Sequence, residues 1–401
     1  MHITLIAGAR PNFMKIAAIV HAIERFNESR VESQESRVVY RLVHTGQHYD
    51  KNMSDTFFEE LGIPAPDVNL GCGGGTQAEQ AAHIMVEFER DLMAHPTDVV
   101  LVVGDVTSTM ACSIVAKKLN TKVCHVEAGI RSWDLTMPEE INRMVTDSLA
   151  DYMFTTSDVA NRNLIRQGAI LVESQKSKVE SDTLPEDKYA QERCPQRVWF
   201  VGNVMIDTLL ANRARFRKPE VWDKLGLKEK EYIVMTMHRP ANVDEENHLR
   251  AMMEQIVDNA HGLPVIFPIH PRTAKLLFGL EGERVRGLEG MPNLYIVEPM
   301  GYLEFNYLVE RAKAVVTDSG GITEETTVMG VPCITLRDNT ERPETCTVGT
   351  NELIGTNPDA IKPALDKLFA GQWKKGAIPE LWDGHAADRI VQILSELGVR
   401  G

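Results

Sequence analysis

The chain has 401 residues, with 43 Lys and Arg against 57 Asp and Glu, a formal net charge of −14. Single cores stop growing at roughly 250–300 residues, so this length predicts more than one domain, and 43% apolar with 25% charged residues is a well-cored make-up that excludes disorder as the main state. An acidic chain with no Lys/Arg block has no footprint for a nucleic-acid backbone, and no apolar run reaches the roughly 18 residues of a membrane helix, so neither nucleic acid nor membrane is expected as a partner, while a local basic pocket for a small anion is allowed.

The N-terminal MHITLIAGARPNFMK is apolar but lacks a basic leader and is interrupted by Arg10 and Lys15. It reads as a first strand and helix rather than a signal peptide, and a cytoplasmic location is expected. β-rich runs then recur at Ile3–Ala7, Val38–His44, Val99–Val103, Lys122–Val126, Tyr152–Thr155 and Val198–Val201. A second series occupies Tyr232–Thr236, Pro264–Pro268, Leu294–Val297, Ala314–Thr317 and Cys333–Leu336. Most are continuously apolar, as parallel strands covered on both faces must be, and each is followed by a turn and a helical pattern. The class is α/β with crossover helices in two doubly wound domains, and the rhythm restarts near Tyr232 after a boundary between Asp207 and Lys230. Glu173–Arg197 has almost no aliphatic residues and reads as a surface insertion. Ala386–Leu397 has apolar residues at helical spacing and reads as a last amphipathic helix. The six cysteines form no C-x-x-C pair, so neither a disulfide framework nor a zinc knuckle is expected; Cys112, Cys124 and Cys333 read as buried small hydrophobes.

Candidate chemistry lies where strands end. After the first strand, Gly8-Ala9-Arg10-Pro11-Asn12 leads into a helix whose N-terminus attracts anions; Arg10 and Lys15 add charge there, unless they are a solvated pair. Asp105 follows the apolar Val99–Val103, facing a ligand or capping the next helix. Glu127 closes the otherwise apolar strand that includes His125-Val126, where a carboxylate is costly unless paired or functional; function is the favoured reading. Glu139 and Arg143 are four apart at a helix start, an ordinary ion pair or part of a site. The carboxylates of Asp105, Glu127 and Glu139 fall at corresponding ends of one sheet, where crowding raises one another's pKa and prepares a group for acid/base work.

In the second half, His238 at a strand end is a proton shuttle or a backbone-bonded core His, and His270 repeats the pattern beside Arg272. Ser319-Gly320-Gly321 at a helix start makes a phosphate nest, with an acid one turn on placed to accept both ribose hydroxyls. No G-x-x-x-x-G-K-[ST] and no GxGxxG after the first strand is present, which counts against an ATPase or an NAD enzyme. His125, His238 and His270 have no H-x-x-x-H spacing, so no metal site is expected.

These motifs together resemble the non-hydrolysing UDP-N-acetylglucosamine 2-epimerases. The matching pieces are GARPNFMK (8–15), TGQHYD (45–50), GDVTST (104–109), HVEAGIRS (125–132) and MPEEINR (137–143). GNVMID (202–207), MHRPAN (237–242), HPR (270–272), TDSGGITEE (317–325) and RDNTERPE (337–344) complete a set that spans most of the chain in order. The resemblance implies a GT-B-like pair of Rossmann-like domains facing a cleft that takes a UDP-sugar, and a homodimer. It implies an N-terminal domain over 1–206, a UDP-binding domain over 207–380, and a C-terminal helix, 381–401, crossing back to the first. It implies inversion at C2 without cofactor or metal, with Asp105, Glu127, Glu139 and His238 catalytic. Arg10, Lys15 and Arg143 would lie near sugar and phosphates, with His270, Arg272 and Arg342 also in the substrate site. Ser319, Gly320 and Gly321 would form the phosphate nest, Glu325 the ribose clamp and Phe305 the uracil contact. Gln47 and His48 match an activator site. Two departures stand out: Ala241 replaces an acid frequent in MHRPAN, and Leu70–Gln77 lacks the Arg that many members use for an activating second UDP-sugar.

The implied activity is epimerisation of UDP-N-acetylglucosamine to UDP-N-acetylmannosamine for surface polysaccharide. Alternatives are a 2-epimerase of a diacetamido uronic acid or 6-deoxy UDP-sugar, a variant that releases the free sugar, a GT-B glycosyltransferase, and a silent nucleotide-sugar sensor. A transferase has no need of Asp105, Glu127, Glu139 and His238 together. A sensor would have lost one of them.

Overall fold

The computed structural model describes residues 1–30, 37–46, 60–172, 196–269 and 291–398. They form two compact units, Met1–Ala211 with Glu380–Gly401, and Asn212–Pro379. The first holds β1 (His2–Ala7), β2 (Val39–His44), β3 (Val68–Asn69), β4 (Val99–Val103), β5 (Lys122–Val126), β6 (Tyr152–Thr155), β7 (Ile170–Leu171) and β8 (Arg197–Phe200). Its helices are α1 (Arg10–Glu28), α2 (Gln77–Ala94), α3 (Thr107–Lys118), α4 (Pro138–Leu149), α5 (Asp158–Arg166) and α6 (Val204–Asn212), which ends at the unit boundary. The second unit holds β9 (Ile233–Thr236), β10 (Val265–Pro268), β11 (Leu294–Val297), β12 (Ala314–Thr317), β13 (Cys333–Thr335) and β14 (Asn351–Leu353). Among its helices are α7 (Glu246–Asp258), α8 (Tyr302–Arg311), α9 (Gly320–Met329) and α10 (Ile361–Phe369); α11 (Ala386–Gly398) belongs to the first unit.

The strand orders are β3-β2-β1-β4-β5-β6-β8-β7 and β11-β10-β9-β12-β13-β14, with parallel neighbours throughout. Each sheet therefore reverses its winding between its first and fourth strands, β1 and β4 or β9 and β12, and β8 inserts between β6 and the edge strand β7. In open α/β sheets that switch point, beyond the carboxyl ends of the strands, is where ligands bind. β4 is Val-Val-Leu-Val-Val and wholly buried, because helices cover both faces. α1 buries Ile16, Ile19, Val20 and Ile23 at three- and four-residue spacing and packs on α11, which buries Ala387, Ile390, Val391 and Leu394. Each such Ile or Leu contributes roughly 1.5–3 kcal/mol. In the second unit Leu249, Met252, Met253 and Ile256 of α7 join Ile233, Met235, Val265 and Phe267 of the sheet and Ile361 and Leu365 of α10.

The start of α11 is held by GNVMID. The Asp207 carboxylate accepts the N–H groups of Ala386 (3.1 Å) and Ala387 (2.6 Å), while the Trp382 indole donates to the Thr156 carbonyl (3.0 Å). Burial pushes the Asp207 carboxyl up to about 6, against those two N–H bonds.

The eleven strands expected from apolar runs are present with ends shifted by no more than one residue. β3, β7 and β14 were not expected: they are two- or three-residue additions near the sheet edges, too short to leave a pattern. Arg197, placed in the insertion, instead opens β8, and 173–195 lie outside the described residues. The five described cysteines are free, and Cys112, Cys124 and Cys333 are buried. Among the described residues no helix is long and apolar enough to cross a membrane.

Candidate active site

In the first unit the switch point is built from the turns after β1, β4 and β5. Asn12, fully inside, accepts the N–H groups of Gly8 (3.2 Å) and Ala9 (2.9 Å) and donates to the Val103 carbonyl (3.0 Å), joining the β1 turn to the end of β4. Lys15 is buried, and its Nζ meets Glu127 Oε2 at 2.5 Å. The solvated-pair reading of Lys15 is thus replaced by a buried ion pair; the side chain of Arg10 lies outside the described residues. A Cβ on Gly104 would stand 2.9 Å from Lys15 Nζ, and its φ of +69° is left-handed, so glycine is what admits the ammonium there. Glu127 itself has φ +70°, a conformation costing roughly 1–3 kcal/mol that surrounding structure must impose. It begins a turn rather than closing β5: its N–H and that of Ala128 both donate to the Phe154 carbonyl, at 3.0 and 3.1 Å.

Asp105 does not cap α3. The cap position is Val106, without a side-chain bond, and the Asp105 carboxylate is turned to the Arg143 guanidinium. Arg143 also holds Glu140, at 2.7 Å. Glu140 rather than Glu139 is the buried acid of the pair; its carboxylate accepts the N–H groups of Ser132 (3.0 Å) and Trp133 (3.1 Å), while Glu139 is exposed at the first turn of α4. The expectation of three mutually crowded carboxylates is corrected: Asp105 and Glu127 are each joined to a cation, supplied by α4 and α1. What results is a pair of oriented carboxylates whose partners fix where they point.

The second unit's switch point is different. His238 follows β9 with its side chain 42% exposed, and its Nδ1 lies 2.8 Å from Asp318 Oδ1, a carboxylate with no exposure. It is not a core His, and the partner of its Nδ1 is a carboxylate. Asp318 also accepts the N–H groups of His238 (3.0 Å) and Arg239 (2.9 Å) and the Asn242 amide (3.1 Å). Burial alone would raise the Asp318 carboxyl; the His238 bond and charge, with Arg239 and Asn242, hold it below its ordinary value. Ser319 occupies the cap position of α9 without a side-chain cap bond, its N–H donating to Thr317 Oγ1 (3.0 Å). Gly320 and Gly321 open the helix, so first-turn N–H groups and the dipole's positive end are offered together.

Glu325 is buried one turn further on. Burial, together with the neighbouring Glu324, pushes its carboxyl up to about 7 against bonds with Tyr302 and Asn306. Arg342 pairs with Glu324 at 2.5 Å, and Phe305 is half-buried on α8 against the core. His270, Arg272, Gln47 and His48 lie outside the described residues. Sequence reasoning passed over Asn12, Glu140 and Asp318. Their only signal was a polar residue inside a motif; Asn12 and Asp318 also bond to Val103 and His238, distant in the chain, and Glu140 to the loop just before α4.

A family model described as UDP-N-acetylglucosamine 2-epimerase matches residues 31–395. The chain belongs to the UDP-N-acetylglucosamine 2-epimerase family. It is 37% identical over 402 residues to a UDP-N-acetylglucosamine 2-epimerase of Methanocaldococcus jannaschii, covering 98% of this chain and 99% of that one. It is 35% identical to a UDP-2,3-diacetamido-2,3-dideoxy-D-glucuronate 2-epimerase of Pseudomonas aeruginosa, covering 99% and 100%. The crystal structure of the M. jannaschii epimerase in complex with UDP-GlcNAc and UDP superposes with a TM-score of 0.80 at 36% identity, over 99% of this chain and 100% of that one. The fold of this epimerase-family isomerase is accordingly GT-B-like.

Proposed function

We propose that this protein interconverts UDP-N-acetylglucosamine and UDP-N-acetylmannosamine by eliminating and re-adding UDP. The observation that carries the proposal is the pair of ion-paired carboxylates at one switch point, Glu127 on Lys15 and Asp105 on Arg143. Inversion at C2 requires a base to take the C2 proton and an acid to return one from the opposite face, and two fixed carboxylates suit that. As the proton leaves, the C2–H electron pair forms the C1–C2 double bond and the C1–O bond breaks, giving a 2-acetamidoglucal and UDP. Reprotonation at C2 on the other face and re-addition of UDP at C1 complete the cycle. Departing pyrophosphate needs preorganised donors. The α9 N-terminus at Ser319, Gly320 and Gly321 is proposed to supply them, with His238 at the leaving group, Glu325 at the ribose and Phe305 at the uracil. Glu139 joins the proton-transfer groups, and Arg10, Lys15, Arg143, His270, Arg272 and Arg342 complete the substrate site. By the same resemblance the assembly is a homodimer in the cytoplasm that supplies surface polysaccharide.

A second substrate is favoured by one observation: the P. aeruginosa diacetamido-glucuronate 2-epimerase is nearly as similar as the M. jannaschii enzyme, over the whole length of both chains. Incubation of purified protein with each UDP-sugar, read by chromatography of the nucleotide sugars, tests both. Formation of UDP-ManNAc from UDP-GlcNAc supports the first reading; conversion of only the diacetamido uronate selects the second. Neither sugar converting would sink the epimerase proposal.

A further inference from the structure

The inner face of α4 is polar. Glu140, Asn142, Arg143, Thr146 and Asp147 are buried, while Ile141 and Met144 face out. A helix set this way gives up an apolar contact face and carries the desolvation of its charges, so its side chains must be held by something. Several of them close on the short turn after β4. Asn142 Nδ2 donates to the Asp105 carbonyl (2.9 Å), and Arg143 holds the Asp105 carboxylate. Asp147 reaches the same turn through His125 of β5, which has no exposure. His125 Nδ1 lies 2.6 Å from Asp147 Oδ1, and His125 Nε2 donates to the Gly104 carbonyl (2.8 Å).

The second oxygen of Asp147 serves the other turn. Oδ2 accepts the Gly129 N–H (3.0 Å) and Arg131 Nη1 (2.6 Å), and both side chains of that ion pair are without exposure. Gly129 is two residues past Glu127 and pressed against α5: a Cβ there would meet the Ala160 carbonyl at 2.4 Å. One buried carboxylate thus ties the strained loop that carries Glu127 to the turn that carries Asp105.

We propose that His125 and Asp147 are a positioning pair for the epimerisation, setting Asp105 through the Gly104 carbonyl and Glu127 through the Gly129 N–H and Arg131. Neither residue needs to touch substrate. The proposal rests on the epimerase reading above and extends it to residues outside the reacting shell.

Two half-replacements of the imidazole test it. His125→Asn keeps a donor near the Nδ1 position for Asp147 and removes the donor to Gly104; His125→Gln keeps the donor near Nε2. In His125→Asn, kcat per UDP-binding site is expected to fall about 100-fold with KM within about threefold, since a misplacement near 1 Å costs that much. Backbone amides of 104–106 are expected to exchange with solvent about tenfold faster in the same variant. His125→Gln is expected to stay within about tenfold of the parent kcat. A purely structural role would lower the melting temperature of both variants alike and leave kcat per site unchanged, and that result overturns the proposal. Equal loss of kcat in the two variants overturns it as well. Should the parent protein turn over no UDP-sugar, the epimerase reading fails; unchanged amide exchange at 104–106 in His125→Asn then separately overturns the positioning link.

Discussion

The six-strand order of the second sheet recurs in the first, before β8 and β7, yet the two switch points carry different groups. In the first unit the turns after β1, β4 and β5 are filled with fixed charge: Lys15 on Glu127, Arg143 on Asp105 and Glu140, and His125 and Arg131 on Asp147. In the second, the turn after β12 offers a helix N-terminus, with buried Arg337–Glu341 and Arg342–Glu324 pairs, a buried Glu325 whose carboxyl sits near neutrality, and Asp318 holding the half-exposed His238 imidazole that follows β9. Buried ion pairs are weak sources of stability, since desolvation offsets most of the attraction. In the first unit the pairs hold Asp105 and Glu127 in fixed orientations, which suits carboxylates that must be aimed. A helix N-terminus with glycines costs little and binds anions without aiming anything. On the proposed function, proton transfer at C2 falls to the first unit and nucleotide binding to the second.

That division is open to attack at graded cost. The largest effects belong to the first unit: Asp105→Asn and Glu127→Gln should each lower kcat by roughly 100- to 10,000-fold while UDP binds normally by calorimetry. Near-normal turnover in either variant removes that residue from the chemistry. Asp318→Asn should lower kcat on the order of 100-fold by freeing the His238 ring, with UDP affinity little changed; a loss confined to UDP affinity would move His238 from the reaction to binding.

Glu325 should shape binding against pH. A ribose clamp needs the ionised carboxylate, which a group near 7 supplies to roughly a tenth at pH 6 and nine tenths at pH 8. UDP-GlcNAc affinity should therefore rise about tenfold across that interval and become flat in Glu325→Gln, the pyrophosphate diester having no titration of its own there. The same group works against the empty protein. Its folded carboxyl holds its proton to about 7 against an ordinary 4.5, so stability is fullest below 4.5 and declines by about 3 kcal/mol as pH rises through 7. Glu325→Gln should raise the melting temperature at pH 8 and barely alter it at pH 4.5. The smallest effect on activity is expected at Asp207: Asp207→Ala leaves two buried N–H groups at the start of α11 without their acceptor, costs about 2 kcal/mol and leaves kcat unchanged. A changed kcat there would tie α11 to the chemistry.

Much of the fold was legible because buried parallel strands must be apolar along their whole length, as in Val99–Val103. The edge strands were not, since two or three residues carry no period. Within the site, Asp105, Glu127 and His238 were legible as polar residues at strand ends. Glu139 and Glu140 were not separable. Both lie one turn from Arg143, at four and three residues, and helical spacing admits either pairing; burial under the 131–134 loop selects Glu140. His125 and Asp147 were illegible for a like reason. A His inside the strand Lys-Val-Cys-His-Val reads as a core residue until α4 lies over it. Asp318 was visible only as a neighbour of Ser319-Gly320-Gly321, and its bond to His238 spans the sheet's switch point.

The central claim is that the carboxylates of the first unit move a proton at C2 of a UDP-sugar. Proton NMR of UDP-GlcNAc with the protein in D₂O, without added cofactor, tests it most directly. The account predicts deuterium at C2 in both UDP-GlcNAc and UDP-ManNAc, with exchange lost in Glu127→Gln and Asp105→Asn. UDP-ManNAc forming with its C2 proton fully retained would contradict it.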